Sequence, residues 1–291
     1  MNSDDTPEAL KVLEKWNSIG DAMRIKANGI WMNYELSGKK GASAVVLSHS
    51  LSCSLLMWNP QMEALNPHFQ VLRYDTRGHG ATDAPSGSYT LELLAEDVIG
   101  LLDALRMDRV HFVGLSMGGM IGQGLVLNHP HRLKSLVLCD TASIVPAEAQ
   151  PVWQERLEKV CAKGMEAIFE ETLERWFTPP FLRQSPPMVK LIQKQILATS
   201  AAGYIGCVEA TRRLNYLDRI SGIKIPSLIM VGEDDPGTPI SASEAMYERI
   251  TGSKLVILPS ARHLSNVEQA EAFNAALLKF LRLANEKVSR S

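Results

Sequence analysis

The sequence predicts a mostly parallel, doubly wound α/β sheet with a helical cap inserted after the sixth strand. Three observations predict it. Short apolar runs alternate with stretches of helical periodicity, and parallel strands joined by crossover helices are the economical way to bury such a pattern. One of those runs, Val110–Val113, leads through Gly114-Leu115-Ser116-Met117-Gly118 straight into a helical stretch. A serine between glycines at a strand-to-helix junction is a strained, nucleophile-presenting turn. Finally, from about 144 to 216 the strands stop, and helical segments are punctuated by Pro146, Pro151, Pro179, Pro180, Pro186 and Pro187.

Taken in order, residues 1–22 read as a short N-terminal helix with Leu10, Leu13 and Trp16 on one side, an addition to the core that either covers it or mediates self-association into a homo-oligomer. Met23–Asn28 and Ile30–Leu36 flank Asn28-Gly29, a strong hairpin signal. Ala44–Ser48 is apolar throughout, as expected of a strand buried on both faces. The loop His49-Ser50-Leu51-Ser52 follows, then a helix around 56–65 and a strand over 69–74. Leu94, Val98, Leu101, Leu102 and Leu105 recur at helical spacing behind Thr90, the expected N-cap. After the serine turn a helix runs to about Asn128, and Leu133–Leu138 is the sixth strand. This divides the chain into an extension (1–22), a core (23–143 and 217–291) and a cap (144–216). Strands resume at Ser227–Val231 and Leu255–Leu258. Ser241-Ala242-Ser243-Glu244 and Ser265-Asn266-Val267-Glu268 have the spacing of capping boxes at helix starts.

Composition narrows the functional classes. The chain has 291 residues, 45% of them hydrophobic and 21% charged, with a net charge of −2. Such a balance gives no electrostatic reason to expect nucleic acid or an anionic membrane surface as partner. The acidic start lacks a signal-peptide pattern and no apolar run has the length of a bilayer span, so a cytoplasmic protein is expected. Cys53, Cys139, Cys161 and Cys207 are scattered, without metal-ligand spacing, and are expected to be reduced thiols.

The chemistry is assembled from strand ends. A serine hydroxyl needs a base, and the base needs an orienting acid. For a nucleophile placed as Ser116 is, the acid and histidine should follow in that order on loops after later strands. Strand Ser227–Val231 ends in Gly232-Glu233-Asp234-Asp235, and Leu255–Leu258 is followed by Pro259-Ser260-Ala261-Arg262-His263. His263 is the base. Asp235 is favoured as the acid because the chain turns away at Asp235-Pro236, with Asp234 the alternative.

These three motifs resemble the α/β-hydrolase superfamily over about residues 24–282. Arg73-Tyr74-Asp75-Thr76-Arg77-Gly78-His79-Gly80, Glu174-Arg175-Trp176-Phe177 and His263-Leu264-Ser265-Asn266-Val267-Glu268 further resemble the 3-oxoadipate enol-lactonase group, a pattern shared in part with carboxylesterases and acyl-homoserine lactonases. The resemblance implies an α/β-hydrolase fold and a serine hydrolase cleaving a lactone or small ester through an acyl-enzyme, with no metal or organic cofactor. It also implies Asp235 as the acid and the amides of Met117 and Leu51 as the oxyanion hole, with Ser50 standing where relatives often have glycine. More distant readings are a C–C bond hydrolase using the same triad and a hydrolase-fold ligand receptor. Substrate choice falls to the cap, where Trp153, Trp176 and Phe177 are the expected pocket aromatics and Arg156 a candidate partner for a substrate carboxylate. Arg77 and His79 are expected to bond the loop beside the site.

Overall fold

A computed structural model describes residues 23–288; the expected N-terminal helix lies outside them. Eight strands form one sheet in the order β1-β2-β4-β3-β5-β6-β7-β8. They are β1 (Met23–Ala27), β2 (Ile30–Gly38), β3 (Ala44–Ser48), β4 (Gln70–Tyr74), β5 (Val110–Leu115), β6 (Leu133–Cys139), β7 (Ser227–Gly232) and β8 (Lys254–Leu258). The β1–β2 and β2–β4 pairings are antiparallel and the remaining five parallel. β1 and β2 close through the Asn28-Gly29 turn, where both residues have positive φ, 43° and 81°. Every residue of β3, β5 and β7 is buried, as parallel strands sandwiched between helix layers must be.

The core helices are α1 (Asn59–Leu65), α2 (Leu91–Ala104), α3 (Met117–Asn128), α9 (Ile240–Arg249), the single turn α10 (Ser265–Glu268) and α11 (Ala270–Val288). Thr90 caps α2 as expected, its hydroxyl accepting the Leu93 amide at 3.1 Å. The two serine-rich segments do not form the expected capping boxes. α9 begins at Ile240 with Pro239 before it, so Ser241 already lies inside the helix. At α10, Ser265 Oγ donates instead to Asp140 Oδ2 at 2.5 Å, and the Glu268 carboxylate accepts the amides of Thr178 and Arg262, each at 2.9 Å. Tertiary partners outcompete the local cap.

Between β6 and β7 lie five helices, α4 (Gln150–Lys163), α5 (Phe169–Trp176), α6 (Pro179–Arg183), α7 (Pro187–Ala198) and α8 (Ala201–Thr211). Three of them carry proline in their first turn, where its missing N–H costs nothing. At the base of this insertion the chain crosses itself. Ile144 and Asn215 form an antiparallel bridge, and the Tyr216 amide donates to Ser143 O at 2.7 Å. The insertion therefore covers the carboxyl edge of the parallel strands, where Ser116, Asp235 and His263 all emerge.

Candidate active site

The serine turn is built by exclusion of side-chain volume. A Cβ on Gly114 would stand 2.2 Å from Gly118 O, and one on Gly118 would stand 2.2 Å from Ser48 O. No other residue lets α3 start so close to β3 and β5. Ser116 itself is held at φ 55°, ψ −116°, a conformation that costs a non-glycine residue roughly 1–3 kcal/mol and is held only by its surroundings. Those surroundings are bonded: the Ser116 amide donates to Cys139 O at 2.8 Å, and Thr141 Oγ1 donates to Ser116 O at 2.7 Å.

The serine hydroxyl meets the expected base. Ser116 Oγ lies 2.8 Å from His263 Nε2, and His263 Nδ1 lies 2.7 Å from Asp235 Oδ2. A carboxylate only accepts, so Nδ1 carries the hydrogen and Nε2 is left to accept the serine proton. Asp235, not Asp234, makes this contact. Burial would raise its pKa, but the adjacent imidazole and the bonds from Thr238 hold it below the usual carboxylate range. Thr238 was missed in the sequence, although Asp235-Pro236-Gly237-Thr238 is an Asx-turn pattern. Oδ1 accepts the amides of Gly237 (2.7 Å) and Thr238 (3.1 Å), while Oδ2 also accepts Thr238 Oγ1 at 2.6 Å. Asp140, also missed, is fully buried at the end of β6. Burial, with the negative charge of Asp235 acting the same way, pushes its pKa well up, since a second buried anion would repel the first. Its Oδ1 accepts the Gly232 amide at 2.8 Å and so ties down the strand end from which Asp235 hangs.

The loop after β3 closes the opposite side of the serine. The Cys53 amide donates to Ser50 O at 3.1 Å, making a turn with Leu51 and Ser52 at its corners. Two histidines clamp it. His49 Nδ1–H donates to Ser50 O at 2.7 Å while Nε2 accepts the Thr76 amide at 2.9 Å. His79 Nε2 accepts the Ser52 amide at 2.9 Å. Burial lowers their pKa values to about 4 and about 3, respectively, so both remain neutral and able to accept. Arg77 grips Asp97 through Nε and Nη2 at 2.7 and 2.6 Å. Leu51 and Met117 both line the cavity above Ser116. Among the described residues neither of their amides donates to any acceptor.

Residues 43–270 match the alpha/beta hydrolase fold family. The chain belongs to that family. Among relatives, 3-oxoadipate enol-lactonase 2 of Acinetobacter baylyi is 37% identical over 253 residues, covering 87% of this chain and 94% of the relative. The crystal structure of the enol-lactonase from Burkholderia xenovorans superposes with a TM-score of 0.86 at 37% identity, over 89% of this chain and all of that one. A thermophilic esterase from Thermogutta terrifontis, solved with malate bound, superposes at 0.84 with 29% identity, over 91% of this chain and 100% of that one.

Within this α/β-hydrolase the cap residues separate into three groups. Trp153 and Trp176 line the cavity, and the Trp176 ring stacks on His263 with centroids 6.2 Å apart and an interplanar angle of 27°. Phe177 does not line it. At the end of α5 its backbone turns extended, and its fully buried ring stacks on Phe181 at 5.4 Å, making it cap core. Arg156 reaches the cavity wall with its guanidinium already engaged. Nη1 bonds Glu171 at 2.9 Å, Nη2 bonds Thr172 Oγ1 at 2.7 Å and Nε bonds Tyr204 Oη at 3.1 Å. Three of its five N–H donors are thus engaged within the cap. The cavity has another cation, Arg175, next to Trp176 in the quoted Glu174-Arg175-Trp176-Phe177 run. Among the described residues no helix is long and apolar enough to cross a membrane.

Proposed function

We propose that this chain is a serine hydrolase that cleaves a lactone or small carboxylic ester through an acyl-enzyme. The observation that carries the reading is the unbroken Ser116–His263–Asp235 chain, with contacts of 2.8 and 2.7 Å, at the floor of a cavity roofed by helices. His263 Nε2 takes the Ser116 proton as Oγ attacks the carbonyl carbon, and Asp235 holds the imidazolium that forms. The unbonded amides of Leu51 and Met117 receive the oxyanion; one such donor is typically worth about 3–4 kcal/mol. The C–O bond then breaks, and the leaving oxygen takes the proton from His263. Water adds to the acyl-enzyme through the same base, and Ser116 recovers its proton as the acid is released.

The enol-lactonases of Acinetobacter baylyi and Burkholderia xenovorans support a lactone as the substrate over a simple ester. The test is steady-state hydrolysis of p-nitrophenyl acetate, p-nitrophenyl butyrate, an enol-lactone bearing a free carboxylate and an N-acyl homoserine lactone, wild type beside Ser116→Ala. One lactone should exceed the nitrophenyl esters in kcat/KM by orders of magnitude. Ser116→Ala should lower kcat by about 10⁵–10⁶. Turnover of activated esters alone would replace the lactonase reading with that of a carboxylesterase, and activity untouched by Ser116→Ala would overturn the triad.

A further inference from the structure

We infer that Asp140 is a positioning residue of the triad: together with the residues on either side of it, it holds Ser116, Asp235 and His263 in place against one another. Its expected effect on rate rests on the serine-hydrolase reading above; its expected effect on the Asp235–His263 hydrogen bond does not.

In the sheet β6 lies between β5, which leads to Ser116, and β7, which leads to Asp235, with β8 and the His263 loop beyond β7. The end of β6 meets all three. Cys139 O accepts the Ser116 amide at 2.8 Å, and Thr141 Oγ1 donates to Ser116 O at 2.7 Å. Between these two, Asp140 turns into the left-handed region at φ 44°, which aspartate enters more readily than most side chains. Its amide donates to Met230 O on β7 at 2.8 Å. Its carboxyl reaches both remaining loops. Oδ1 accepts the amide of Gly232, three residues before Asp235, at 2.8 Å. Oδ2 accepts the hydroxyl of Ser265, two residues after His263, at 2.5 Å.

The two loops that this carboxyl joins also touch each other. The Asp234 amide donates to Ala261 O at 2.9 Å, and a Cβ on Gly232 would stand 2.4 Å from Arg262 O. Three consecutive residues, Cys139, Asp140 and Thr141, therefore bond the backbone or flank of nucleophile, acid and base alike. Asp140 is fully buried and is not among the residues lining the cavity, so it acts through Asp235 and His263 rather than on substrate. A carboxyl buried this far is unfavourable unless its oxygens are bonded, and here both are spent on triad-bearing loops. Without them the acid and base loops can shift apart. A misplacement of about 1 Å costs about a hundredfold in rate, and the loss should fall on kcat because the walls that bind substrate are untouched.

Asp140→Ala, Asp140→Asn and Ser265→Ala, beside wild type, test this. Hydrolysis of p-nitrophenyl acetate and of the enol-lactone bearing a free carboxylate separates kcat from KM. Proton NMR follows the far-downfield signal of His263 Nδ1–H bonded to Asp235, identified by its loss in Asp235→Ala. Asp140→Ala should lower kcat about a hundredfold for both substrates, with KM changed by less than about twofold, and should shift that signal. Asparagine keeps an oxygen for the Gly232 amide and offers its NH₂ to Ser265 Oγ, so Asp140→Asn should recover most of kcat and the wild-type signal. Ser265→Ala should cost about three- to tenfold in kcat alone and nothing further in the Asp140→Ala background. An unchanged kcat in Asp140→Ala, a loss carried by KM, or a Ser265→Ala loss that multiplies in the double variant overturns the inference. Should Asp140→Ala fail to fold, the Nδ1–H signal of Ser265→Ala decides: unmoved, it overturns the inference, and shifted, it sustains it. Should wild type turn over neither substrate, the hydrolase reading fails by itself, and an Nδ1–H signal identical in wild type and Asp140→Ala would still overturn the role of Asp140.

Discussion

The two walls of the cavity are built on opposite principles. On the core wall the triad is held from within the chain, with only the Leu51 and Met117 amides and the Ser50 hydroxyl left unbonded: Asp235 accepts four hydrogen bonds, His263 bridges it to Ser116, and Asp140 fixes the strand beneath. On the cap wall Arg156 is bonded to Glu171, Thr172 and Tyr204, Arg175 has no side-chain partner among the described residues, and Trp153, Trp176, Thr172 and Thr211 complete the lining. A catalytic apparatus must be correct before substrate arrives, because reorganising it during reaction would forfeit electrostatic stabilisation. Selectivity is served by the reverse, a group whose partner is the ligand. On the proposed function, the difference places chemistry in the sheet and choice in the insertion.

Short of removing Ser116 itself, the largest expected effect comes from breaking the core wall at its acid. Asp235→Asn keeps the shape and most of the hydrogen bonds, yet the amide turns the imidazole toward the wrong tautomer. A loss in kcat of about 10⁴ is expected for every substrate alike, with Ser116 still in place. Steady-state rates across charged and neutral esters check it; a loss confined to one class would move Asp235 out of the triad and into recognition.

Much of the core wall was legible in the sequence because its determinants are local. Gly114 and Gly118 announce a turn that no side chain fits, and Asp235 and His263 each follow an apolar strand closely enough that the sheet alone brings them together. The cap wall was not legible to the same depth. Arg156 and Arg175 look alike along the chain; what separates them is that Glu171, Thr172 and Tyr204, on two other helices, fill one guanidinium and not the other. Trp176 and Phe177 are neighbours, but the chain leaves the helix between them, so one ring faces His263 and the other the cap interior. Glu268 had the spacing of a capping residue and serves instead to bind Thr178 and Arg262 across the cap boundary. Partnerships set by tertiary packing leave no periodic trace.

A smaller effect sharpens the comparison through pH. His49 and His79 hold the Leu51 loop as neutral acceptors, with pKa values lowered from 6.5 to about 4 and about 3. Below pH 6.5 the unfolded chain binds protons that the folded loop refuses, so stability falls with decreasing pH, and the fall from each group ends near its folded pKa. Each contributes a slope of up to about 1.4 kcal/mol per pH unit. His79→Gln should therefore be less stable than wild type at neutral pH, yet lose stability less steeply between pH 6 and 4. Urea denaturation at several pH values measures both; parallel slopes would mean that His79 is charged in the fold.

The smallest effect is the one that tests the cap wall against itself. Arg156→Met retains the buried aliphatic length of the side chain while removing bonds to Glu171, Thr172 and Tyr204. The cost to stability is about 1–3 kcal/mol, a drop of several degrees in Tm for a chain of this size. Because those bonds run between α4, α5 and α8, their loss loosens the wall without altering which charge the substrate meets. kcat/KM should fall by the same small factor for p-nitrophenyl acetate and for the enol-lactone bearing a free carboxylate, leaving their ratio intact. If Arg156→Met instead erased the preference for the enol-lactone over p-nitrophenyl acetate, Arg156 would be a substrate contact and not only a brace of the cap.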